Sequence, residues 1–283
     1  MPVIAVVNRK GGSGKSTLAA HLAVWCARQG HAVMLGDVDR QQSTRSWLRR
    51  RDPQLPAIAP WAIDQTNMLR VPAGITHAVL DTPGGLRGFE LARLVIAADA
   101  ILMPVCHSVF DRDSAAACLE ELRTLPKVAE GRCRLATVAM RVDGRTRAAD
   151  ILQEWASVHN VPMVAALRET QLYVKCLERG LTLFDLPASQ VAADMAQWQG
   201  ILAWLQPVVA PAEPAPAREP QRLAPTLAAA VRKGPRPEAL APATRPSVLD
   251  SWRTLGPKKS APAAVDEVRE PGTSVVPQFL RHA

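Results

Sequence analysis

The chain alternates short apolar runs with longer stretches in which apolar residues recur every three to four positions. The runs at residues 2–7, 32–36, 77–80, 100–105 and 134–140 are apolar almost throughout, the pattern of strands buried on both faces. Between the first two, Leu18, Leu22 and Trp25 share one face of a helix that Gly30 ends. This alternation predicts an α/β fold, a doubly wound, mostly parallel sheet with helices on both faces. No internal repeat is present.

The pattern breaks near Gln206. Fourteen of the 24 prolines fall in the last 77 residues, in stretches such as "PVVAPAEPAPAREP". Such a segment buries too little apolar surface to offset its ordering entropy. We therefore expect a folded domain over 1–206 and a Pro/Ala-rich, mostly disordered tail over 207–283. Within the tail, "SVLDSWRTL" (247–255) and "SVVPQFLRHA" (274–283) are candidate partner-docking segments.

Composition removes several classes of function. No apolar run approaches the ~18–20 residues that span a bilayer, and the N-terminus enters a strand without a basic leader, so a cytoplasmic location is expected. Cys26, Cys106, Cys118, Cys133 and Cys176 are scattered with no C-x-x-C, which fits reduced thiols better than a zinc site or a disulfide framework. The formal charge of +8 and pI of 9.7 bias the chain toward polyanions.

The chemistry concentrates in "VVNRKGGSGKSTLAAHL", residues 6–22. A phosphate-binding loop reads G-x-x-x-x-G-K-[ST], but here Arg9 stands at the first glycine and a second lysine, Lys10, follows it. The segment is strand, glycine-rich loop, helix. Gly11, Gly12 and Gly14 let backbone N–H groups, Ser13 included, converge on an anion at a helix N-terminus. Lys15 would reach β/γ-phosphates, and Ser16 would give its hydroxyl to Mg²⁺, with Thr17 beside it. Two further strand ends supply carboxylates: "AVMLGDVD" carries Asp37 and Asp39, and "HAVLDTPGG" carries Asp81, a Walker-B-type residue. Gly84, Gly85 and Gly88 then give the following loop freedom to move.

These residues resemble the ParA/MinD family of deviant Walker A ATPases. "KGGSGKST" matches the signature K-G-G-x-G-K-[ST]; "DVDRQQSTRSW" is similar to switch I and "DTPGG" to switch II. "ADAILMPVCHSVFDRDSA", "RVDGRTR" and "GLTLFDLP" also have counterparts, so the likeness spans about 2–206. It looks closest to small ParA-like and MipZ-like members without an N-terminal DNA-binding domain. The resemblance implies ATP and Mg²⁺ as cofactors and a homodimer formed on ATP, in which Lys10 reaches the partner's phosphates. It implies that Asp39 orients or activates water and that Asp37 lies near the magnesium. Turnover would be slow and stimulated by a ParB-like or other cargo adaptor. Met140 replaces the asparagine that commonly recognises adenine in relatives, which leaves the base contact to backbone groups or to the segment around Phe184–Pro187. Arg40 replaces the usual proline of switch I.

The resemblance also implies DNA contact, since family members without a separate DNA-binding domain commonly bind DNA non-specifically as ATP dimers through basic surface residues. Candidates are Arg141, Arg145 and Arg147 after the sixth strand, and Arg168, Lys175 and Arg179 around a later helix. The run Arg45, Arg49, Arg50, Arg51 is another basic cluster. The leading expectation is an ATPase that segregates or positions DNA or a protein cargo on the nucleoid. Three alternatives stand beside it. One is a MinD-like membrane-cycling ATPase, although Pro277 interrupts the only amphipathic candidate. Another is a nucleotide-gated scaffold with little turnover. The third is a metabolic relative, either an amide-forming ligase or a protein of the iron–sulfur type, for which Cys106 and Cys133 would have to be suitably placed to bridge.

Overall fold

The computed structural model describes residues 1–38, 42–62 and 71–210. From residue 211 onward the expected tail, with its two candidate docking segments, lies outside the described residues, as do Asp39 and Arg40.

Among the described residues seven strands form one sheet, β1 (Val3–Val6), β2 (Val33–Asp37), β3 (Ile58–Ala62), β4 (His77–Asp81), β5 (Ala100–Val105), β6 (Arg134–Val142) and β7 (Met163–Arg168). Their spatial order is β3-β2-β4-β1-β5-β6-β7, and every pairing is parallel. The α/β class and the parallel sheet are therefore as expected. The five central strands coincide with the five apolar runs. The two edge strands do not: β3 reads "IAPWA", and its Pro60 is tolerated because an edge strand can leave one side of its ladder unpaired. Most of β7 is only half buried.

Helices cover both faces. The chain runs α1 (Lys15–Arg28), α2 (Ser43–Leu48), α3 (Gly88–Ala97), α4 (Val109–Thr124), α5 (Pro126–Ala129), α6 (Ala148–Val158), α7 (Gln171–Glu178), a 3-10 turn at Leu183–Asp185, and α8 (Ala188–Val209). Alternate strand residues feed two separate cores. Ile4, Val6, Val33, Leu35, Val79 and Leu102 pack with α1, α7 and α8. Val3, Ala5, Met34, Leu80, Ile101 and Met103 pack with α3, α4 and α6. Leu18, Leu22 and Trp25 are buried as the periodicity requires, and α1 ends at Arg28 with Gly30 in the left-handed region at φ 86°. α8 continues to Val209, three residues beyond the composition break at Gln206, with Pro207 in its last turn. Gly200 is where α8 presses on the edge strand: a Cβ there would sit 1.9 Å from the Val164 carbonyl oxygen.

The α1 core holds polar groups that need partners. His21 is fully buried, accepts the Leu183 N–H at Nε2 (3.2 Å) and meets the Thr17 carbonyl at Nδ1 (2.7 Å). That assigns the Nδ1–H tautomer. Burial lowers its pKa to about 4, outweighing the Thr17 carbonyl and Asp185, both of which favour the proton. The ring stacks on Trp198 and meets Tyr173 and Phe184 edge-on. Arg51, from the basic run, is not a surface charge. Its guanidinium forks onto buried Asp185 at 2.9 and 3.1 Å and bonds the Gly180 carbonyl, while Trp47 lies 5.5 Å beneath it.

Candidate nucleotide site

β1 lies at the centre of the sheet, so the loop after it emerges between strands whose helices lie on opposite faces, the usual ligand position in open α/β sheets. Three strand ends are in register there. Val6 pairs with Asp81 across β1 and β4, and Asp81 pairs with Asp37 across β4 and β2. Parallel partners on neighbouring strands are about 4.8 Å apart and face the same side. Since Val6, Val79 and Leu35 all belong to the α1 core, Asp37 and Asp81 project toward the helix that carries Ser16 and Thr17. Both aspartates are buried.

The loop itself is held from within. Asn8 donates to the Pro104 carbonyl (2.6 Å) and accepts the Lys10 N–H (2.9 Å). Lys15 is buried, with its ammonium 2.9 Å from the Lys10 carbonyl oxygen, and the Ser13 hydroxyl meets the same carbonyl at 3.2 Å. Lys15 thus lies folded across the mouth of the loop. Gly14 caps α1 at φ 95°, a left-handed conformation that other residues adopt with strain, and a Cβ there would come within 2.7 Å of the Met140 Cε. Met140 is therefore packed against the phosphate loop as part of the core. Gly11 and Gly12 face open space, which leaves room for phosphate oxygens at the N-terminus of α1. The residues present fit a Mg-nucleotide.

Lys10 is set apart from Lys15. Its ammonium sits 6.0 Å from the centroid of the exposed Phe110 ring. The structure thus brings Lys10, Gly11, Gly12, Ser13, Gly14, Lys15, Ser16, Asp37 and Asp81 to one edge.

Several residues have jobs that sequence reasoning missed. The Asp37 Oδ2 accepts from the Thr44 N–H, the Thr44 hydroxyl and the Arg45 N–H at 2.9–3.1 Å, so one oxygen of this candidate magnesium residue caps the first turn of α2. Ser108, which opens the S-x-x-D of the longer resembling segment, caps α4 by accepting the Asp111 N–H, and its hydroxyl donates to the Asp111 carboxylate. Thr182 and Asp185 form a capping box at the 3-10 turn, with Arg51 clamped on the same carboxylate. A serine or threonine followed three residues later by an acid was the available signal in both places.

The basic candidates split into two kinds. Arg168 forks onto buried Asp194 at 2.7 and 2.9 Å. Arg145 forks onto Asp143, whose carboxyl is lowered to about 2 by hydrogen bonds from Arg145. Arg147 approaches Asp150 at 3.7 Å. Arg141 is exposed at a bulge near the end of β6, at φ 53°, and Lys175 and Arg179 are exposed on and after α7. Of the basic run, Arg45, Arg49 and Arg50 are exposed.

The cysteine pair of the iron–sulfur alternative does not meet. Cys106 follows the carboxyl end of β5, whereas Cys133 precedes β6, and Ala100 pairs with Arg134 while Val105 pairs with Ala139. Five strand steps, about 17 Å, separate the two ends. Among the described residues no helix is long and apolar enough to cross a membrane. The candidate segment at 274–283 lies outside them.

Sheet order, loop and carboxylates together define a P-loop nucleotide-binding domain. Residues 4–184 match the CobQ/CobB/MinD/ParA nucleotide binding domain, and the chain belongs to that family. It is 27% identical over 199 residues to the maintenance of carboxysome distribution protein A of Halothiobacillus neapolitanus, covering 68% of this chain and 91% of that protein. It is 26% identical over 189 residues to the chromosome-partitioning ATPase Soj of Thermus thermophilus, covering 55% of this chain and 76% of Soj. The fold is shared with Cyanothece apo McdA, at a TM-score of 0.59 and 16% identity over 71% of this chain and 99% of that one.

Proposed function

We propose that this chain is an ATP-hydrolysing positioning protein, a ParA-like machine that dimerises on ATP, binds DNA without reading sequence and moves a DNA or protein cargo. The observation that carries the reading is the separation of two lysines on one loop. Lys15 lies folded over the loop of its own chain, while Lys10 points away from it toward Phe110. Two triphosphates held face to face place several negative charges in a narrow gap, and an ammonium from each copy would offset the other copy's phosphates. Dimerisation then depends on nucleotide because the opposing charge is present only when nucleotide is bound. Similarity to proteins named for carboxysome distribution and chromosome partitioning supports a positioning role.

Within this reading Ser16, Asp37 and Asp81 hold Mg²⁺ directly or through water, and the loop N–H groups from Gly11 to Thr17 bind phosphate oxygens. The magnesium would draw charge from the phosphates during hydrolysis, and Asp39 would orient the attacking water. Arg141, Arg145, Arg147, Arg168, Lys175 and Arg179 form the DNA-facing set. Arg141, Lys175 and Arg179 contribute most of it, because Arg145 and Arg168 are already neutralised by carboxylates. A ParB-like adaptor would accelerate turnover, and the protein would associate with the nucleoid in the cytoplasm.

Size-exclusion chromatography and DNA co-sedimentation at low salt test this directly. The wild type should become a dimer in Mg-ATP but not Mg-ADP and pellet with DNA only as that dimer. Lys10→Ala should melt with the wild type yet remain a monomer. A wild type that stays monomeric at saturating Mg-ATP, or a variant that dimerises equally well, rules the reading out.

A further inference from the structure

The residue that breaks the ordinary phosphate-loop pattern is Arg9, and its side chain leaves the loop. It forms an ion pair with Glu121 of α4, and both side chains are about three-quarters buried. The second oxygen of the same carboxylate accepts the Gly88 N–H at 2.5 Å. Gly88 is the first residue of α3, where a negative charge is favoured by the helix dipole. The Arg9 carbonyl, meanwhile, accepts the Gly85 N–H at 2.7 Å. A Cβ at Gly84 would sit 3.4 Å from both the Arg9 oxygen and the Gly11 nitrogen. The loop between β4 and α3 is thus fastened to one residue at two points. Its middle is held by the Arg9 backbone, and its far end by the Arg9 side chain acting through Glu121.

We propose that Arg9 and Glu121 form a strut that sets the position of α3 according to what the phosphate loop holds, making Glu121 a positioning residue for the nucleotide response. The proposal rests on the nucleotide reading above. Phosphate entering the loop would draw the peptide N–H groups of residues 11–14 toward it and pull on the Arg9–Lys10 peptide that precedes them, whose own N–H is held by Asn8 Oδ1. A mostly buried guanidinium and carboxylate do not separate cheaply, since either left alone is an uncompensated charge. Glu121 therefore follows Arg9, and Gly88 follows Glu121. What moves is a helix whose outer face carries Phe89 and Ile96 in solvent, so nucleotide state would be displayed as the placement of an apolar surface.

Hydrogen–deuterium exchange over residues 84–97 of the full chain tests this, without nucleotide, with Mg-ADP and with Mg-AMPPNP. Glu121→Ala should exchange about tenfold faster at Gly88 in every state, having lost a charge-assisted hydrogen bond. In the wild type, AMPPNP should slow exchange of the segment relative to ADP. That difference should vanish in Glu121→Ala and in Arg9→Met, and persist in Arg9→Lys, which keeps the charge and a donor. Glu121→Gln, which preserves side-chain volume and the Gly88 acceptor, should also lose the difference and serves if the alanine variant melts early. A purely structural role would raise exchange equally in all states and leave the difference intact, which overturns the strut. Titration of the wild type with a fluorescently labelled ATP separates the two failures: no binding removes the nucleotide reading itself, and binding with a difference that survives in Glu121→Ala and Arg9→Met removes only the strut.

Discussion

On the face covered by α1, α7 and α8, polar groups are locked inside aromatic and charged packing; on the face covered by α3 and α4, large apolar side chains stand in water. The first face buries His21, Asp194 and the Arg51–Asp185 fork around Trp198, Tyr173 and Phe184. The second leaves Phe89, Ile96, Val109 and Phe110 exposed and joins its helices to the phosphate loop through Arg9 and Glu121. Satisfied buried polar networks specify one arrangement, because every alternative orphans a group. Exposed apolar surface beside a nucleotide loop has the opposite character and suits a surface that changes partners. On the strut proposal, the same central strands support a fixed scaffold on one side and a responsive layer on the other.

The largest expected effect lies in the scaffold. Arg51→Met keeps much of the side-chain volume over Trp47 but leaves Asp185 buried without its fork. Burial pushes the Asp185 carboxyl up, and the Arg51 fork together with the Thr182 backbone and hydroxyl holds it below the usual range. Removing one partner of a buried pair costs about 3–5 kcal/mol. Urea unfolding should show that loss in the midpoint with little change in slope. A loss under about 1 kcal/mol would place this pair among surface contacts and erase the contrast between the faces.

Next in size is an acid effect at His21. Its folded pKa is lowered to about 4 from 6.5, so between those values the unfolded chain binds the extra proton. Stability contributed by the neutral ring is complete above pH 6.5 and is lost as pH falls toward 4. The total is about 3 kcal/mol, from roughly 1.4 kcal/mol per pH unit for one proton. Asp185, the charged group that faces it, stays ionised in both states over most of this window. Unfolding free energy against pH, for the wild type and His21→Gln, should differ in slope by about one proton there. Parallel curves would mean that His21 is not held neutral.

How much of this was legible in the sequence follows from the range of each contact. The five central strands are buried on both faces, so each is a continuous apolar run. Edge strands β3 and β7 lack that burial, and Pro60 and the alanines of "MVAALR" hide them. The loop and Asp81 could be read because the motif is local. Arg51 looked like a surface charge because its partner lies 134 residues away, and Arg9 meets Glu121 across 112. Pairings of that kind are set by the fold and leave no trace in spacing. Met140 stands out in the sequence as a departure from the resembling family, and only the structure shows it packed against Gly14.

The smallest expected effect sharpens the comparison from the other side. Phe89 is 76% exposed and Ile96 69%, so each buries only about a quarter to a third of its side chain. At about 25 cal/mol per Å², that remnant stabilises by about 1 kcal/mol or less per residue. Serine has a helix propensity close to that of phenylalanine and isoleucine, so α3 itself should be indifferent to the change. Phe89→Ser combined with Ile96→Ser should therefore shift the urea midpoint far less than Arg51→Met does. Its dye-binding apolar surface should fall, as followed by fluorescence of an added hydrophobic probe in the folded state. Unfolding of the double variant would show that this face is as deeply built into the scaffold as the one opposite, and the division between fixed and responsive layers would fail.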